Sequence, residues 1–177
     1  MNRRSAIKKF LIFSAGVAVI PSCLREEGKT SIPFQNIKIS ADQEELLAEI
    51  GETIIPATDT PGSKDVSAHI FALIMVDDCF RKEQQDKFIK GLNEFDDHTK
   101  KKFGNSFAKC SQSQKEQLLA EIESKKSMAQ DDVAASFYFT MKRLTLQGYQ
   151  TSKYYLTKVD VYKLVPGRFH GCVPVKS

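Results

Sequence analysis

This 177-residue chain lacks most of the patterns that mark a catalyst. Its nine glycines never stand two apart, so there is no Gly-x-Gly turn for a dinucleotide, and no Walker-type phosphate loop occurs. There is no Cys-x-x-Cys, no Cys-x-x-Cys-His and no His-Glu-x-x-His, so the usual ligand patterns of iron–sulfur clusters, covalent haem and zinc are missing. Histidine is scarce, with only His69, His98 and His170. His98 sits among Asp96, Asp97 and Lys100, a solvated setting. His69 falls among apolar residues, where a hydrogen-bonded core histidine is expected. His170 and Cys172 stand two apart, which on an extended segment places them on one face but not within hydrogen-bond reach. No paired carboxylates occupy an apolar setting that would raise one of them for acid–base work. Asp77 and Asp78 are adjacent, but Arg81 and Lys82 take the positions where further metal ligands would stand, so an ion-paired, solvated turn is expected there.

Charge of one sign is also missing. Four of the 26 basic residues lie in residues 1–22, which hold no acid, so the chain from Cys23 onward carries 22 basic against 22 acidic residues. With no arginine-rich stripe and no interleaving of aromatic and basic residues, nothing points to nucleic acid. The 155 residues after position 22 suffice for one domain that buries roughly 70% of its unfolded surface.

No hydrophobic run is long enough to span a bilayer as a helix. The longest, Phe10 to Ile20, has eleven residues and follows Arg3, Arg4, Lys8 and Lys9, which is the layout of a signal peptide. Ile20-Pro21-Ser22-Cys23 resembles a bacterial lipobox, which implies cleavage after Ser22 and lipid attachment at Cys23. Arg3-Arg4-Ser5-Ala6-Ile7-Lys8 resembles a twin-arginine export signal, and it serves equally as the positive end of a general secretory signal. Residues 23–39 are mostly polar and read as a tether. Three further cysteines, Cys79, Cys110 and Cys172, allow one disulfide and a leftover thiol in an oxidising compartment. Because Cys79 follows an apolar helix and Cys172 lies in the closing segment, a Cys79–Cys172 bridge is the first expectation.

From residue 40 the pattern is helical. Ser40 and Gln43 have capping-box spacing, and Leu46, Leu47, Ile50 and Ile54 follow on one face. A second helix is expected from Ser63 or Asp65, apolar all round, as in a central helix or one covered by a partner. A third carries Phe80, Phe88, Ile89, Leu92 and Phe95, before a charged stretch over Asp96–Lys109 that reads as a loop or a frayed helix end. A fourth is expected from Ser113, with Glu116 at capping-box spacing. A fifth should run from about Asp131 to Leu146, ended by Gly148 in a left-handed conformation. After Tyr149 the chain is aromatic and rich in proline and glycine. It could fold back on its own domain or lie as an arm on another protein. The expected fold is all-α, a compact bundle of about five helices over residues 40–177 with an irregular aromatic C-terminal arm from about residue 149.

Between the first two helices runs Thr53-Ile-Ile-Pro-Ala-Thr-Asp-Thr-Pro-Gly-Ser-Lys-Asp65. Pro56 and Pro61 fix φ and remove two donors, so no regular helix crosses it. They bias Ile55 and Thr60 towards extended backbone, and Gly62 permits a positive φ. A rigid, polar, two-step corner is expected. This corner, read with Gly148-Tyr149-Gln150-Thr151-Ser152 and with Tyr162-Lys-Leu-Val-Pro-Gly-Arg-Phe-His-Gly-Cys-Val-Pro174, resembles the gluconate 2-dehydrogenase subunit 3 family over roughly Ser40 to Pro174. The family pattern continues Gly-Tyr-x-Thr-Ser with an acid and a glycine, where this chain has Lys153 and Tyr154.

The resemblance implies a non-catalytic small subunit with no cofactor of its own, bound to a large FAD-dependent dehydrogenase of the glucose-methanol-choline type. It implies that sugar or sugar-acid oxidation happens on that partner and that electrons pass to an acceptor such as a cytochrome. It also favours the arm reading of the tail, with Tyr149, Thr151, Tyr155, Tyr162, Pro166 and Phe169 as partner-binding residues. The cell envelope, through a lipid anchor, is the expected location, facing the periplasm or the cell surface. Two other readings remain from the residues: a free-standing periplasmic lipoprotein that binds a ligand or a different protein, and a helical enzyme using Cys172 or His170.

Overall fold

The computed structural model describes residues 30–124, 132–160, 162 and 167. Among them are five α-helices: α1 (Ala41–Ile54), α2 (Ala68–Cys79), α3 (Lys82–Phe103), α4 (Gln112–Ser124) and α5 (Val133–Gln150). A 3-10 turn, Phe107–Lys109, joins α3 to α4, and a π-helical turn, Tyr155–Val159, follows α5. No strand is present among the described residues. The all-α bundle expected from the periodicity is the fold observed.

α1 starts as its sequence requires. Ser40 is extended and accepts from the Gln43 amide at 3.2 Å, and the Gln43 side chain accepts from the Ser40 amide at 3.0 Å. Leu46, Leu47 and Ile50 then face the core. The helix stops at Ile54, where Ile55 (φ −131°, ψ 86°) takes the extended conformation that Pro56 imposes on it.

The bundle is organised around α5, which packs along α3 and α2 and also meets α1. Phe137 is the centre of the α3–α5 contact. Its ring lies 5.0 Å edge-on from Phe88 and 5.7 Å from Phe95, and Phe95 in turn lies 5.2 Å from Phe107. All four rings are buried, and each fully buried side chain of this size contributes roughly 1.5–3 kcal/mol relative to exposure. The central helix is thus α5 rather than α2, whose outer side leaves Ile74 exposed.

Several element boundaries differ from those the sequence suggests. α3 does not stop before Asp96; it continues to Phe103, and Gly104 (φ 76°) provides the left-handed cap that only glycine adopts cheaply. α4 begins one residue before Ser113, because Ser111 and Gln114 form its capping pair. α2 begins at Ala68 after tight turns over residues 63–67, not at Ser63 or Asp65. α5 is capped by Asp132, which accepts from the Ala135 amide at 3.1 Å. It runs straight through Gly148, which is buried and has no positive φ. A Cβ there would sit 2.9 Å from the Phe71 ring, so the glycine makes room for α2 and does not end the helix.

Residues 30–39 also differ from the expected free tether. Ile37 is in the core, and Phe34 and Ile39 pack against it. Two carboxylates fasten this segment. Glu44 accepts from the Ser31 amide at 2.7 Å and from its hydroxyl. Asp77 accepts from the amides of Gln35 (2.9 Å), Asn36 (2.7 Å) and Ile37 (2.8 Å). Asp77 is therefore 6% exposed and enclosed by backbone donors, whereas a solvated ion pair was expected; Asp78 alone faces solvent. The Gln85 side chain completes the clasp by donating to the carbonyls of Val76 and Asp77.

Candidate partner-binding surface

The corner between α1 and α2 folds on a single carboxylate. Glu52, in the last turn of α1, accepts from the Ala57 amide at 2.8 Å and the Lys64 amide at 2.9 Å. Ser63 donates its amide to Ile55 at 2.9 Å, and Thr58 donates to Thr60 at 2.9 Å. Gly62 donates to Asp65 at 2.8 Å. Gly62 does not use the positive φ open to it. Its role is space, since a Cβ would lie 2.5 Å from the Glu52 carboxylate and 2.6 Å from the Ala57 nitrogen.

The two family-like stretches meet here. The Tyr149 hydroxyl, at the end of α5, donates to the Pro61 carbonyl at 2.8 Å across 88 residues of chain. Tyr149 is in turn edge-on to Tyr154 (6.3 Å) and Tyr155 (6.2 Å). The three tyrosines brace the π-helical turn against the corner. One turn before Glu52 on α1, Glu49 binds Lys115 at 2.7 Å and also Lys64. Burial pushes the Glu49 carboxyl up, but the hydrogen bonds and charges of Lys115 and Lys64 outweigh it and hold the group below its ordinary value.

Of the residues expected to bind a partner, Tyr149 is engaged inside the chain, and Thr151 caps α5 by donating to Gln147 at 2.9 Å. Tyr155 is half-buried against Tyr149, and Tyr162 stands 59% exposed. Pro166 and Phe169 lie outside the described residues, as do Arg3, Arg4, Cys23, His170 and Cys172. The large apolar side chains that are exposed among the described residues are Ile74, Leu146, Val159 and Tyr162. Three of these four come from the end of α5 and the turn after it, next to the tyrosine brace. The periodicity of α5 extends its inner apolar stripe to Leu146, but the structure leaves that side chain 41% exposed, because one aliphatic residue near a helix end does not show in sequence which side its neighbours cover.

The remaining reactive groups are dispersed. Cys79 ends α2 with an exposed free thiol, and Cys110 is buried, where burial pushes its thiol above the ordinary value. His98 is exposed on α3 and His69 is half-buried on α2. No group of three potential metal ligands comes together among the described residues. No described helix is long and apolar enough to cross a membrane.

No curated relative and no solved structure matches the chain. A family model, gluconate 2-dehydrogenase subunit 3, matches residues 41–167, which take in the corner, the whole five-helix bundle and the tyrosine brace. By that match the chain belongs to the gluconate 2-dehydrogenase subunit 3 family.

Proposed function

We propose that this chain is the non-catalytic small subunit of a membrane-associated, FAD-dependent sugar dehydrogenase of the gluconate type. The family is named for a subunit of a dehydrogenase complex, which makes an accessory role the first reading. The observation that carries it to a surface is that three of the four exposed large apolar side chains, Leu146, Val159 and Tyr162, fall within the 17 residues from 146 to 162, on either side of the Tyr149 brace. Exposed apolar groups on a rigid support are what a subunit interface uses.

In this reading a glucose-methanol-choline-type flavoprotein holds the FAD and oxidises the sugar, and the reduced flavin passes its electrons to an acceptor such as a cytochrome. This chain contributes no reacting group. It escorts the flavoprotein through export with the Arg3-Arg4 signal, stabilises its fold, and anchors it through lipid on Cys23. One acyl chain gives only marginal membrane binding and two or three give a firm hold, so the anchor works with the usual multiple acylation of a bacterial lipoprotein.

The test is purification from native membranes through a C-terminal tag, with the flavin absorption spectrum as readout. Wild-type chain is expected to bring stoichiometric flavin. The double variant Val159→Glu, Tyr162→Glu should lose the flavin while keeping its helical circular dichroism and melting temperature. A colourless wild-type monomer overturns the reading.

A further inference from the structure

A second surface lies on the opposite use of charge. On α3, the N-cap Arg81 is followed by Gln84, Lys87 and Phe88, which recur at three- and four-residue spacing and so share one face. On α5, Ser136, Thr140 and Arg143 do the same. The two helices touch at Gly91, where a Cβ would lie 2.5 Å from that of Phe137. From that point towards Arg81 and Arg143 the two faces line a groove of about 450 Å³. Its floor is apolar, formed by the edge-on pair Phe88 and Phe137.

The rim of this groove is basic. Arg81, Lys87 and Arg143 line it against a single acid, Glu83. None of the three cations forms an ion pair among the described residues, whereas Lys64, Lys82, Lys100, Lys102, Lys115 and Lys142 all do. The opposite end of the same α3–α5 seam has the reverse sign. There a groove of about 470 Å³ is lined by Glu94, Asp97, Glu121 and Asp132, with Lys101 the one lysine. In a chain whose charges balance after residue 22, this is a local polarity along one seam and not a general excess.

We propose that the basic groove is a docking site for an acidic segment of the flavoprotein subunit, one that seats an apolar side chain on Phe88 and Phe137 and carboxylates on Arg81, Lys87 and Arg143. This rests on the small-subunit reading above and adds a second, electrostatic contact to the apolar one. The open groove and its exposed, long cationic side chains suit an extended protein segment, since guanidinium forks bind carboxylates bidentately. A second copy of this chain fits less well. Its acidic groove would have to meet this basic one head to tail, a heterologous contact that builds rings or open filaments of this chain and leaves the flavoprotein no place in it.

The test uses the tagged full chain purified from native membranes. Three forms are compared by flavin retained per chain: wild type, the charge-reversed Arg81→Glu, Lys87→Glu, Arg143→Glu triple variant, and the charge-preserving Arg81→Lys, Arg143→Lys double variant. Reversal should lower retention at least about tenfold, because like charges then face each other across the interface, while the lysine variant, which keeps the charges but not the bidentate forks, should fall between wild type and reversal. A fourth form, Glu83→p-benzoylphenylalanine, is irradiated and the adduct mapped by mass spectrometry, and it should attach to an Asp/Glu-rich segment of the flavoprotein. Unchanged retention in the triple variant overturns the groove assignment, as does an adduct on a second copy of this chain, on lipid, or on a flavoprotein segment without acids. Absence of flavin from the wild type is a different result: it overturns the small-subunit reading itself, and this inference with it.

Discussion

Asp77 and Arg81 stand four residues apart at the junction of α2 and α3, yet the fold treats them in opposite ways. Asp77 is closed in by three backbone amides of residues 35–37. Arg81 is left facing an open groove. The same contrast separates the Pro56–Pro61 corner from the α3–α5 seam. In the corner, Glu52, Gly62, Pro61 and Tyr149 satisfy one another. In the groove, three cations form no ion pair among the described residues. The stretch that most clearly marks the family is therefore a fastener, and the groups free to meet another molecule lie outside it. Perturbing the first region should cost folding; perturbing the second should cost association.

The largest effect is expected at Asp77. Asp77→Ala leaves three amides without their acceptor, one of them in the buried Ile37, and should lower stability by about 3 kcal/mol in denaturant unfolding. Asp77→Asn keeps one carbonyl acceptor and should fall between wild type and alanine. An alanine variant as stable as wild type would show that residues 30–39 are held by Ile37 alone.

The pH dependence sharpens the same point. Burial pushes the Asp77 carboxyl up, but the amides of Gln35, Asn36 and Ile37 outweigh it and hold the group below its ordinary value. Glu49 and Asp96 are lowered in the same sense. A carboxyl depressed in the folded state stabilises above its unfolded pKa, about 4, and that contribution is lost as pH falls through the lower folded value. Stability should thus be level from pH 7 to about 5 on account of these groups and drop below about pH 4, with a shallower acid limb in Asp77→Asn. An unchanged limb in that variant would move the acid sensitivity to Glu49 and Asp96.

Next in size is Gly62→Ala. The new methyl would meet the Ala57 backbone nitrogen at 2.6 Å, which cannot swing aside as a side chain can. A loss of about 2 kcal/mol is expected, read as a lowered melting temperature. Gly148→Ala makes the sharper contrast. Its obstacle is the Phe71 side chain, with the ring edge at 2.9 Å and the Cβ at 3.1 Å, and no backbone atom stands as close as the Ala57 nitrogen does at Gly62, so a smaller loss is expected there.

These residues also show where sequence is legible. The Ser40–Gln43 capping pair, the stop at Pro56 and the five apolar periodicities are local signals, and the helices they specify are present. The fates of Asp77, Gly148 and residues 30–39 are not local. Asp77 finds its donors about 40 residues away, and Gly148 is set by a phenylalanine on another helix. A carboxylate in a polar doublet and a glycine near a helix end look the same in sequence whether they face water or a neighbour. The proposed partner surface is half legible. Tyrosine content marked the tail, but only the bond from Tyr149 to Pro61 separates a tyrosine that braces the turn from Tyr162, which stands out from it.

The smallest effect on folding is expected from the groove, and for that reason it tests the contrast most directly. Arg81, Lys87 and Arg143 are exposed and make no ion pair among the described residues, so substituting them removes little that the folded state gains. Solvent-facing changes of this kind usually stay within about 0.5 kcal/mol each. Arg143→Gln and Lys87→Gln should leave both the midpoint and the slope of urea unfolding unchanged. A loss of several kcal/mol would mean that these cations fasten the α3–α5 seam as Asp77 fastens the chain entry, and the groove would then belong with the corner as part of the scaffold. Unchanged unfolding together with weakened flavoprotein retention is the pair of results that keeps the two regions distinct.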